Sequence, residues 1–105
     1  MVTKSFPIRW DEEALKDLKT IYKYIKKQSP SGAEKVKIEL IRLVGTLGKN
    51  PEKYPKEPLM LNEGNYRYIP KWSYKIIYEI TSHEVIVAMI FHTSQSQEKL
   101  KRGRQ

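Results

Sequence analysis

Two stripes of apolar residues at helical spacing, followed by a stretch of alternation, divide this chain. Ala14, Leu18, Ile21, Tyr22 and Ile25 recur every three or four positions, while Lys16, Lys19, Lys23, Lys26 and Lys27 fall largely outside the stripe. The spacing predicts an amphipathic helix from Asp11 to about Lys27 or Gln28, with Asp11 as its cap and Glu12 and Glu13 against its positive end. Ser29-Pro30-Ser31-Gly32 breaks the pattern. Ser31 and Glu34 have the spacing of a capping box, and Ala33, Val36, Leu40, Leu43, Val44 and Leu47 form a second stripe that Gly48 and Asn50-Pro51 close. Two amphipathic helices with so short a break are expected to form an antiparallel hairpin.

The flanks follow a different period. Phe6, Ile8 and Trp10 alternate with Pro7 and Arg9, which predicts a short strand, and Pro7 assigns it to an edge because it cannot donate a ladder bond. Residues 51–64 hold Pro51, Pro55 and Pro58 without a clear period and read as a loop. Tyr66, Arg67 and Tyr68 are expected on a strand interrupted by Pro70. Trp72, Tyr74, Ile76, Tyr78 and Ile80 then alternate with Ser73, Lys75, Ile77 and Glu79. Thr81-Ser82-His83-Glu84 reads as a hairpin turn, and Val85 to Phe91, apolar on both faces, reads as a central strand. The expected fold class is α+β: a strand, a two-helix hairpin, then a three-stranded antiparallel meander. The first strand is expected beside the last, both helices on one face of a small twisted sheet, and the other face partly open.

Composition narrows the class. A length of 105 residues suits one domain, 1–105, ending in a basic tail over 94–105 with Lys99, Lys101, Arg102 and Arg104. Twenty Lys+Arg against twelve Asp+Glu give +8, an excess that favours polyanions or an acidic protein partner and also serves solubility. Without cysteine there is neither a disulfide framework nor a thiolate metal site. Two separated histidines and scattered carboxylates lack metal-ligand spacing, so no metal or other cofactor is expected. The N-terminus shows no apolar run of signal-peptide type and no stretch is long enough to cross a bilayer, so a cytoplasmic protein that makes no membrane contact is expected.

Trp10-Asp11-Glu12-Glu13-Ala14, Asp17-Leu18, Ile21 and Tyr24-Ile25, continued by Ala33, Ile41, Leu47 and Pro51, resemble the helix hairpin of ParE-type toxins. Arg67, Ser73-Tyr74-Lys75-Ile76-Ile77-Tyr78 and Val85-Ile86-Val87 through Phe91-His92 resemble the strands of the same group. In order and spacing the chain thus resembles the RelE/ParE superfamily, the toxin half of bacterial toxin–antitoxin pairs. The resemblance implies growth inhibition, a role of plasmid-stabilisation type, and a cognate antitoxin encoded alongside. ParE-like members bind DNA gyrase, and the helix pattern favours that target. RelE-like members are metal-independent endoribonucleases acting on mRNA in the ribosome. A degenerate, non-toxic relative that binds RNA or a partner is the third reading.

Cleavage through the RNA 2′-hydroxyl needs proton transfer and a cation at the phosphate. Lys75 stands where RelE-like proteins carry an arginine; a lysine supplies charge there but no two-pronged hydrogen bond. Arg67 is either a phosphate clamp or a salt-bridging surface residue. His92 suits proton transfer, although a histidine closing an apolar strand is commonly structural. Tyr66 and Tyr68 are candidates for base stacking, against a simpler reading as half-buried aromatics. Gln95 and Lys99 are candidates for substrate contact. Gln95 and Gln97 stand where RelE relatives place cations, which argues against strong RelE-type cleavage.

Overall fold

The computed structural model describes residues 5–95. Strand β1 (Ile8–Trp10) leads into helix α1 (Glu12–Lys26) and helix α2 (Pro30–Gly45). Short 3-10 turns at Thr46–Gly48, Pro51–Lys53 and Pro58–Met60 precede β2 (Tyr66–Lys71), β3 (Tyr74–Ile80) and β4 (Val85–His92). The sheet order is β1-β4-β3-β2; β1 runs parallel to β4 and the other pairs are antiparallel. The expected class, element order and placement of the first strand beside the last are all observed. Among the described residues no helix is long and apolar enough to cross a membrane.

The caps differ in one detail from the capping-box expectation. Asp11 caps α1, its Oδ1 accepting from the Glu12 N–H at 3.0 Å. Ser29, rather than Ser31, caps α2: its Oγ accepts from the Gly32 N–H at 3.0 Å, and Pro30 takes the first helical position, where a missing N–H costs nothing. Glu34 is thereby released to accept from the Tyr22 hydroxyl at 2.6 Å, tying the two helices across the hairpin.

Ala14, Leu40, Val44 and Leu47 from the helical layer meet Ile69, Ile76, Tyr78, Val85, Val87 and Ile90 from the sheet in the main core. The Tyr78 hydroxyl donates to the Pro51 carbonyl oxygen at 2.5 Å, and burial pushes its phenol up to about 12. This bond anchors the first turn of the 51–64 segment to the sheet. Tyr78→Phe leaves that buried carbonyl without its donor and is expected to lower stability by about 1 kcal/mol, read as a shifted urea midpoint at constant slope.

The pleat breaks once. Ile77 pairs with Met89 and Tyr78 with Val87, which leaves Ala88 as an extra residue in β4. Up to Val87 the odd-numbered side chains face the helices; beyond the bulge Ile90 does, while Met89 and Phe91 turn to the opposite face. That face is less open than the sequence suggests. Met60, from the loop, closes over Tyr66, Ile77, Met89 and Phe91 in a second buried cluster.

Two expectations for the β2–β3 region need correction. Pro70 does not interrupt the strand; it pairs with Lys75 inside β2, an edge strand that tolerates a missing donor. Trp72 is not a strand residue. Lys71 pairs with Tyr74, so Trp72-Ser73 form a two-residue hairpin loop with Trp72 at φ +53°. A positive φ at the first loop position alone belongs to a type II′ turn, where glycine is the ordinary occupant. A bulky side chain there costs about 1–2 kcal/mol of backbone strain.

Candidate functional site

Strand alternation decides which candidate residues can meet. Tyr66, Tyr68 and Lys75 share the face of the second cluster, whereas Arg67 lies on the helix-side face with Ile69 and Tyr78. Lys75 Nζ sits 2.9 Å from Glu57 Oε1, a close ion pair poorly aligned as a hydrogen bond. It also lies 4.0 Å from the centre of the Tyr68 ring. Glu57 is only 1% exposed, and its Oε2 accepts from the Leu59 N–H at 3.1 Å. The Lys75 charge is therefore paired with a buried carboxylate inside the fold. Tyr66 is 8% exposed and belongs to the apolar cluster, so its ring is not an open platform; Tyr68 is half-buried under the lysine.

Arg67 turns to the loop. Its Nη1 donates to the Tyr54 carbonyl at 2.6 Å and to the Glu52 carbonyl at 3.3 Å, and its backbone pairs with Lys56. These bonds satisfy carbonyls of a segment with little regular pairing of its own, and they fix it along the outer edge of β2.

His92 closes β4 opposite Tyr74, with the rings edge to face at 5.7 Å. The bulge at Ala88 sets its parity with Ile90, on the helix side of the sheet, away from Lys75. Nδ1 accepts from the Ser94 N–H at 3.2 Å and contacts Ser94 Oγ at 2.9 Å. The tautomer that lets Nδ1 accept carries the ring proton on Nε2. Gln95 ends the short turn Thr93–Gln95, and Lys99, like most of the basic tail, lies outside the described residues.

The three residues assigned to RNA cleavage are thus not brought together: Lys75 is on one face, Arg67 on the other against the loop, and His92 at the strand end. The sequence offered no sign of Glu57, which sits between two prolines in a segment without a period. A shallow groove of about 490 Å³, lined by Ser5, Phe6, Ile8, Thr46 and Lys49 among others, involves none of these residues. Among the described residues no group of three His, Asp or Glu side chains could hold a metal ion.

The whole pattern of strand, helix hairpin and meander matches a family model over residues 8–97, that of the ParE toxin of the type II toxin–antitoxin system parDE. The chain belongs to the ParE toxin family. Similar folds occur in the chromosomal ParDE toxin–antitoxin system from P. aeruginosa, with a TM-score of 0.71 and 18% identity over 84% of this chain and 96% of that one. The toxin–antitoxin complex RelBE2 from Mycobacterium tuberculosis follows with a TM-score of 0.61 and 19% identity, over 87% and 94% of the two chains. At such identities the likeness is one of fold. No curated protein sequence matches this ParE-family chain.

Proposed function

We propose that this ParE-family toxin arrests growth by binding, with DNA gyrase as its target, and that a cognate antitoxin neutralises it. The dispersal of Lys75, Arg67 and His92 carries the reading. General acid–base cleavage requires its groups within hydrogen-bond reach of one reacting phosphate, and here the lysine is ion-paired and the arginine engaged by loop carbonyls. A surface that poisons by association needs no such convergence.

The antitoxin is expected to supply an acidic amphipathic segment that folds onto the helix hairpin and sheet groove. Ile38 and Ile41 on α2 and Leu15 on α1 are large apolar side chains left exposed on the hairpin, and the net charge of +8 attracts an acidic chain. The similar structures from P. aeruginosa and Mycobacterium tuberculosis are themselves toxin–antitoxin systems, which supports a partner of that kind.

Pulsed expression of the chain, with primer extension on cellular mRNA and a supercoiling assay on purified gyrase, tests the proposal. Arrested growth, intact messages and inhibited supercoiling are expected. Cuts within codons that vanish in His92→Ala would replace it with the ribosome-dependent nuclease. Unchanged growth with folded protein in the cells would indicate a non-toxic relative.

A further inference from the structure

The β2–β3 hairpin carries a feature that neither folding nor the proposed activity uses. Trp72 occupies a glycine position at φ +53°, yet it is 59% exposed, so the strain is not offset by burying the indole. Lys71 Nζ lies 4.8 Å from the ring centre and covers one side. Lys71 is in turn held 3.4 Å from Glu39, which Arg42 grips at 2.8 Å. The Arg42 hydrogen bond, then the desolvation that opposes it, then Lys71, leave the Glu39 carboxyl lowered to about 2. The indole is braced, and the nearby carboxylate is already neutralised.

Other rings gather at the same end. Tyr74 follows Trp72 by two residues and pairs with His92, and the Thr93 N–H donates to the Ser73 carbonyl at 2.8 Å, which holds the hairpin loop against the end of β4. The Asp11 N–H donates to the Val87 carbonyl and Asp17 accepts from the Ile90 N–H, so α1 runs alongside β4 in the same direction and carries Tyr24, two turns past Asp17 on the same face, toward the end of β4. Burial pushes the Tyr74 phenol up, and Tyr24 adds to the rise. Tyr24 is 65% exposed. Lys23 and Lys27, flanking it, are exposed and have no ion-pair partner among the described residues. His92, exposed at the end of β4, adds a further ring.

Trp72, Tyr24 and His92 are exposed, while Tyr74 is half-buried against the core and offers only its edge to the patch. Exposed rings beside unpaired cations form the platform on which unpaired bases stack while their phosphates follow the lysines. We infer that Trp72, Tyr24, Tyr74 and His92, with Lys23 and Lys27, form a binding surface for single-stranded nucleic acid at the hairpin end of the molecule. An acidic protein segment would satisfy the lysines but would leave the strained indole without a flat partner. Stacking reads the base face rather than the sugar, so RNA and DNA strands are bound alike. The surface does not depend on whether gyrase is the toxin's target.

The test is fluorescence anisotropy of a labelled oligo(rU) dodecamer titrated with the full chain at low salt. Trp72→Gly is expected to weaken binding by about tenfold or more, while its melting temperature stays equal or rises because glycine suits the turn. The pair Lys23→Gln and Lys27→Gln should reduce the slope of log K against log salt by about 1.4, at roughly 0.7 for each phosphate of a single strand no longer neutralised. An oligo(dT) dodecamer should bind like the RNA. Unchanged affinity in a folded Trp72→Gly chain overturns the inference. So does equal binding of duplex, which would reduce the effect to bulk charge, and so does equal competition by polyglutamate, which would assign the surface to an acidic protein segment.

Discussion

Replacing Asp17 by alanine will lower the melting temperature by about 10–20 °C, the equivalent of roughly 3 kcal/mol in a domain of this size. The reason lies where β1 gives out. β1 ends at Trp10, opposite Val87, and β4 continues for five more residues without that neighbour. In this stretch the buried Ile90 N–H donates to Asp17 Oδ2 at 2.9 Å. Asp17 is 7% exposed and stands in the apolar face of α1, so the same carboxylate ties the helix to the central strand. Alanine removes a charge-assisted hydrogen bond and strands a donor in the core, both of which cost free energy. Asparagine keeps an acceptor at the same position and should lose only about a third as much. Calorimetry of the two variants decides the matter: a shift under about 4 °C for Asp17→Ala would mean that Ile90 finds another acceptor.

Asp17 also illustrates how far the sequence could be read. Its position three residues after Ala14 puts it on the face of the stripe, so periodicity could have marked a core-facing carboxylate, although the stripe read from the sequence did not include it. Its partner was not, because an N–H 73 positions away lacks a strand neighbour only once β1 is known to stop at Trp10. The same division holds across the fold. The helices, the two-sided burial of β4 and the class were legible because apolar spacing reports burial directly. The bulge at Ala88 was not, since one extra residue in a continuous apolar run leaves no gap in the pattern. It nevertheless sets the face on which His92 emerges, and hence whether His92 can share a site with Lys75. Trp72 misled for a related reason: an aromatic in an alternating run looks like a strand residue, and nothing in the pattern marks a tryptophan in a glycine turn.

Lys75→Met is expected to destabilise the fold by about 3–5 kcal/mol, whereas Glu57→Gln should cost only about 1 kcal/mol. The asymmetry follows from burial. Glu57 is 1% exposed, so removing the lysine leaves a carboxylate with neither water nor a counterion. The Lys75 side chain is 19% exposed, lies over the Tyr68 ring, and can extend its ammonium toward solvent when the acid is gone. A glutamine at position 57 also keeps a side-chain oxygen for the Leu59 N–H. The double variant should therefore recover most of the loss of Lys75→Met, giving a coupling energy of about 2–4 kcal/mol in a double-mutant cycle of urea midpoints. A Lys75→Met chain as stable as wild type would mean that the carboxylate is not confined. The cycle bears on function as well, because loss of toxicity in Lys75→Met alone reports unfolding as readily as the removal of a phosphate-binding cation. Glu57→Gln releases the ammonium without unfolding the chain. If growth arrest is unchanged in that variant and survives in the folded double variant, Lys75 acts through the fold and the toxin works by binding; if mRNA cleavage appears once Glu57 is neutralised, the ion pair was holding back a nuclease cation.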